Sequence, residues 1–142
     1  HTRYWRDWSS DVCSSDLRKW FNYLNSKPDI KERDRFIARS IFLQGLLLLP
    51  ENIILKRFSE ASEFFSNLTQ IEKIYRVSRL DLCVEFIKNC EMLDGVVVGT
   101  NSQFQLSEVF QSFNRTENCE IPFEELPQLP RAYSDPRKWN RK

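Results

Sequence analysis

Two short β-favouring runs set the strongest limit on what this chain can fold into. The first is residues 36–43, Phe-Ile-Ala-Arg-Ser-Ile-Phe-Leu, and the second is Val96-Val97-Val98, β-branched throughout and bounded by Gly95 and Gly99. Each is apolar and short, as in strands covered on both faces. Two helical patterns separate them and a third follows. Strand, helices, strand and helix in that order predict a parallel α/β arrangement with covering helices, the unit of doubly wound sheets and of (β/α)8 barrels. Periodicity does not choose between those two.

Between the strands, Gln44-Gly45 ends the first run, and residues 46–52 read as an apolar loop closed by Pro50. Residues 57–77 place Phe58, Ala61, Phe65, Leu68, Ile71 and Tyr75 on one stripe, which fits one long amphipathic helix. Ser78-Arg79-Leu80-Asp81 has the form of a capping box, where serine and aspartate side chains satisfy free amides at a helix start. Leu80, Cys83, Ile87 and Cys90 would line the inner face of the helix it opens. A further helix starts near Ser102, with Ser102 to Gln105 as a second capping box and Leu106, Val109, Phe110 and Phe113 at helical spacing. Upstream, Trp20, Phe21 and Leu24 fit the end of a helix closed off by Ser26-Lys27-Pro28. Beyond Glu117 lie Pro122, Pro127, Pro130 and Pro136, a composition of extended straps rather than of a core.

Twenty-one basic against twenty acidic residues give no electrostatic footprint for nucleic acid or an anionic membrane. The longest apolar stretch, residues 41–49, is broken by Gln44 and Gly45 and falls short of the ~20 residues of a membrane helix. With no basic-then-apolar start, the cytoplasm is the default compartment. Cys83 and Cys90 lie about 10 Å apart along a helix, beyond the ~7 Å reach of a disulfide, and read as buried thiols. Cys119 stands alone and the one histidine is His1, so no cluster for a metal is expected.

The first seventeen residues stand apart. Asp7-Trp8-Ser9-Ser10-Asp11-Val12-Cys13-Ser14-Ser15-Asp16-Leu17 shows neither helical nor strand period and joins abruptly to a patterned chain at Arg18. It resembles the conceptual translation of a common sequencing-adapter oligonucleotide. The expected organisation is therefore a non-native segment at 1–17, a partial barrel at 18–118 and a Pro-rich C-terminal tail at 119–142. The natural protein is expected to extend further upstream.

Two strand ends carry the candidate chemistry. In Val98-Gly99-Thr100-Asn101-Ser102-Gln103-Phe104-Gln105 a strand turns into a helix, so free amides and the positive end of the dipole favour an anion there. Any βα turn shares those features. Arg39-Ser40-Ile41-Phe42-Leu43-Gln44-Gly45-Leu46-Leu47 is a strand end with a serine, a glutamine and a glycine; by itself it reads first as a core strand with one satisfied polar side chain.

These segments together resemble the aldo/keto reductases. Ser40 to Leu47 is similar to that family's seventh-strand motif, commonly serine-proline-leucine-glycine, a variable residue and glycine-leucine-leucine. Val97-Val98-Gly99-Thr100-Asn101-Ser102 with Gln105-Leu106-Ser107-Glu108 is similar to the eighth strand and its helix, and Asp135-Pro136-Arg137-Lys138-Trp139 recurs in relatives encoded near surface-polysaccharide genes. The order and spacing of the motifs fit the family across most of residues 36–142.

The resemblance implies a truncated (β/α)8 TIM barrel, about its last two βα units plus the tail. It implies an NAD(P)-dependent oxidoreductase acting on a small carbonyl substrate. Ser40 and the backbone of Phe42, Leu43 and Gly45 would lie along the pyrophosphate and ribose of NADP or NAD, and Gly99, Thr100, Asn101, Ser102, Gln105 and Glu108 would hold the adenosine end. Where many members have an arginine on the 2′-phosphate this chain has Gln105, and where an asparagine reaches the adenine it has Val109. The family's catalytic residues come from earlier strands, so none is assigned here and this stretch alone is expected to be inactive. The rival expectation is a non-catalytic barrel or partner-binding module that has lost the cofactor.

Overall fold

The computed structural model describes residues 37–39, 41–91, 93–115, 120–123, 129 and 133. Strands β1 (Ile37–Arg39) and β2 (Gly95–Val97) pair in parallel, with Ile37 opposite Gly95, Ala38 opposite Val96 and Arg39 opposite Val97. Successive side chains of a strand point to opposite faces. Ala38 and Val96 accordingly pack against the helical core, while Ile37 is 52% and Val97 60% exposed. The expected cover on both faces is present on one. This sheet of two strands is not closed, and among the described residues no further strand joins it.

The first strand is also shorter than the apolar run predicts. Leu43, Gln44 and Gly45 take φ of 50°, 53° and 85°, and such left-handed residues cannot continue an extended strand. The chain folds back, the Phe42 carbonyl accepting from the amides of Gly45 (2.9 Å) and Leu47 (3.3 Å). Ile41, Phe42 and Leu43 thereby bury in the core as turn residues.

Residues 46–52, read as a loop, are largely helical. Leu46–Leu48 is a 3-10 turn, and helix α1 (Glu51–Arg57) begins after Pro50, whose φ of −57° suits a helix start. The single helix expected over 57–77 is likewise broken. Phe58 leaves helical geometry (φ −135°, ψ 64°), a 3-10 turn covers Ser59–Ala61, and helix α2 runs Ser62–Tyr75. The break turns the Phe58 ring into the core, so Phe58, Ala61, Phe65 and Leu68 of the predicted stripe are all buried, joined by Phe64. Arg76, left-handed at φ 53°, ends α2.

Helix α3 (Arg79–Lys88) opens on the capping box at Ser78. It is buried from Leu82 through Ile87, more completely than one amphipathic face would be, because α2 and α4 (Gln103–Phe113) pack on it from different sides. Helix α4 departs from expectation. Val109 and Ser112 are buried, but Leu106 and Phe110 are 48% and 66% exposed and Phe104 is 72% exposed. Val109 and Ser112 are its buried positions and Phe113 packs against the core, while Leu106 and Phe110 remain in water.

The tail is more than a strap. Ile121 and Leu129 are core residues, and Phe123 meets Phe86 edge-on with ring centroids 5.5 Å apart. Tyr133 packs edge-on against Phe58 at 5.2 Å and donates its hydroxyl to Glu60 Oε2 at 2.7 Å. Among the described residues no helix is long and apolar enough to cross a membrane. Residues 1–17 and the helix end expected at 18–25 lie outside the described residues.

Candidate functional site

Because β1 and β2 are parallel and Arg39 faces Val97, the two motif stretches leave the sheet at the same end. The structure so gathers residues 41–45 and 98–102 from distant parts of the chain. Ser40 lies outside the described residues.

The first turn is strained. Left-handed backbone costs ~1–2 kcal/mol per non-glycine residue, and Leu43 and Gln44 both adopt it. Gly45 at φ 85° suits its position for the same reason. The side chains of Phe42 and Leu43 point into the core, so at these two positions only backbone groups can meet a ligand, while the Gln44 side chain is exposed. The Gly45 amide is not among them, since it donates to Phe42.

The second turn is an ordered helix start. Ser102 Oγ accepts from the Gln105 amide at 3.1 Å, and Gln105 Oε1 accepts from the Asn101 amide at 3.0 Å. A capping box returns its second bond to the cap residue itself; here it lands one residue earlier. The first α-helical bond is Leu106 N–H to Ser102 O, which leaves the amides of Gln103 and Phe104 as open donors of the first turn. Nothing lies within 4 Å of the place a Cβ on Gly99 would occupy. Gly99, Asn101 and Ser102 are exposed, and Thr100 is half-buried.

Open donors, a positive helix end and free space above a glycine suit an anionic or hydroxyl-rich group. A 2′-phosphate fits less well. Gln105 is uncharged and its carbonyl is already engaged. Glu108 is exposed on α4, while Val109 is 4% exposed and faces α3. Among the described residues no group of three His, Cys, Asp or Glu could hold a metal ion.

The densest polar cluster lies elsewhere, and only its Ser78 and Asp81 members were legible in sequence. Asp81 Oδ1 accepts from Ser112 Oγ (2.7 Å), and Oδ2 accepts from Ser78 Oγ (2.8 Å) and Arg115 Nη1 (2.7 Å). Burial pushes the Asp81 pKa up, but the hydrogen bonds from Ser112 and Ser78 and the charge of Arg115 together outweigh it, and the net shift is downward. Ser112 and Arg115 lie more than thirty residues beyond Asp81, so no local spacing announces them. A second cluster pairs Arg79 with Glu72 and with Thr69 Oγ1 (3.0 Å), the guanidinium lying over the Phe65 ring at 5.6 Å. Cys83 is buried, and burial raises the Cys90 thiol to about 11. Neither thiol is set up as a nucleophile.

No family model, curated protein or solved structure matches this chain.

Proposed function

We propose that this chain is the C-terminal part of a (β/α)8-barrel oxidoreductase of the aldo/keto reductase type, contributing one side of an NAD(P) site. The single observation that carries the reading is the parallel pairing of β1 and β2, which brings residues 41–45 and 98–102 to one end of the sheet. Ligands of α/β barrels bind at that end. The bare face of the sheet, with Ile37 and Val97 exposed, supports a place for further strands. Nicotinamide, when bound, supplies the hydride. In this reading the open amides of Gln103 and Phe104 and the space at Gly99 orient the adenosine side, and the backbone of 42–45 lies along the pyrophosphate. The proton donor to a carbonyl substrate, with the rest of the catalytic machinery, belongs to upstream strands, and the compartment is the cytoplasm.

The test has two parts. The upstream reading frame should encode a tyrosine and a lysine on earlier barrel strands. The protein so completed should bind NADPH or NADH with a measurable dissociation constant. If neither cofactor binds at millimolar concentration, the reductase reading fails.

A second reading is favoured by one observation. Phe104, Leu106 and Phe110 expose apolar surface on α4, as a partner-binding module that had lost the cofactor would. Under that reading the completed protein binds no dinucleotide, and replacing these three residues by polar ones weakens its association with the partner.

A further inference from the structure

The Asp81 cluster joins segments that the proposed cofactor reading does not use. Its carboxylate accepts from Ser78 in the cap of α3, from Ser112 in the last turn of α4, and from Arg115 just beyond α4. The Ser112 side is closed to water, with that residue 2% exposed. Arg115 is held a second time. Its carbonyl accepts from Lys88 Nζ at 3.1 Å, and Lys88 is itself paired with the buried Glu85 at 2.7 Å. Arg115 is thus tied to both ends of α3, by its guanidinium at the first turn and by its carbonyl at the last.

We infer that Asp81 is a positioning residue, an anionic latch that seats the C-terminal end of α4 on α3. The apolar part of that seat is small: Val109 is the one buried apolar side chain of α4, Phe113 packs against the core half-buried, and Leu106 and Phe110 are exposed. Charge-assisted hydrogen bonds are about twice as strong as neutral ones, and two of those on this carboxylate, from Ser112 and Arg115, reach it from the C-terminal end of α4. A helix moves as a rod, and from Ser112 to Ser102 is about 15 Å of it. Seating one end therefore sets where the other end, with its turn at 99–102, meets the sheet. The latch stands without the cofactor reading; only what the turn binds rests on it.

The experiment is amide hydrogen exchange, resolved by segment, on the full 142-residue chain. Asp81→Asn should accelerate exchange in residues 103–113 at least tenfold and leave residues 62–75 within twofold. Ser112→Ala should accelerate the same segment, and adding it to Asp81→Asn should change little more. Ser78→Ala separates latch from cap: it removes the cap hydroxyl, so it should loosen the first turn of α3 but leave 103–113 within twofold. Should Asp81→Asn not fold, Ser112→Ala and Arg115→Met, which remove partners and keep the carboxylate, decide by the same readout. An unchanged 103–113 segment in the Asp81 or Ser112 variant overturns the latch. So does a Ser78→Ala effect on that segment as large as that of Asp81→Asn. Because no cofactor enters the measurement, its failure leaves the reductase reading standing, and failure of cofactor binding leaves the latch standing.

Discussion

Gln105→Arg separates what this position does for the helix from what it would do for a cofactor. In the free protein the glutamine carbonyl accepts from the Asn101 amide at 3.0 Å. Removing an intramolecular hydrogen bond costs ~0.5–1.5 kcal/mol, and the low end applies because this one is exposed. The new cation sits in the first turn of α4, where the dipole is unfavourable to it by ~0.3–1 kcal/mol. The substitution should therefore destabilise the chain by about 0.8–1.5 kcal/mol, read from denaturant midpoints. In the completed protein the same arginine should gain ~1.5–3 kcal/mol against a 2′-phosphate, a hydrogen bond to a charged group. That shifts the NADPH-to-NADH preference by roughly 10- to 150-fold. The assay is a pair of dissociation constants for each protein, with Gln105→Met as control, which loses the carbonyl and adds no charge. A preference shift under about threefold, or one that Gln105→Met reproduces, would refute the assignment of residue 105 to the adenosine end.

Three other outcomes follow from the packing and the turns. Phe65 is fully buried, edge-on to Phe64 at 5.1 Å and beneath the Arg79 guanidinium, so Phe65→Ala should cost ~3–5 kcal/mol in urea unfolding; a loss under about 1 kcal/mol would place it outside the core. Gln44→Gly should relieve ~1–2 kcal/mol of left-handed strain against ~0.5–1 kcal/mol of added chain flexibility, a net gain of up to about 1.5 kcal/mol. Gly45→Ala, with nothing within 4 Å of its new Cβ, should lose ~1–2 kcal/mol through backbone alone, and thermal melts of the two variants should move in opposite directions. Asp81 is held below its ordinary 3.8, so its contribution is present above that pH and is lost as pH falls through the lower folded value. Asp81→Asn should flatten the acid dependence of stability below about pH 4; an unaltered profile would show that Arg115, Ser112 and Ser78 do not favour its charged form.

Local chemistry made part of this fold legible. The capping box at Ser78 depends on residues three apart and formed as predicted; at Ser102 only half of the expected box formed, the serine accepting from the Gln105 amide while the Gln105 side chain accepts from Asn101 instead of Ser102. The stripe through Phe58, Ala61, Phe65 and Leu68 was legible for the same reason, even though the helix carrying it is interrupted. The interruption was not. Helical spacing continues through Phe58, and only the burial of that ring, with Tyr133 against it from the far end of the chain, accompanies the turn out of helical geometry. The strand end at 41–45 was misjudged in the same way: an apolar β-favouring run has no local signal that its last residues will be left-handed and buried from a turn.

By itself, then, the sequence determined the starts of α3 and α4, the apolar stripe and the order of elements that calls for a parallel sheet, because each depends on neighbours within a turn or on the succession of segments. Tertiary structure alone decided the register of Ile37 against Gly95, the face of α4 that is buried and the convergence of Ser78, Ser112 and Arg115 on Asp81. The physical reason is range. A cap or a stripe is selected by bonds and burial that the local chain already offers, whereas α4 is equally apolar at Val109 and Phe110, and only its contact with α3 settles which of the two leaves water.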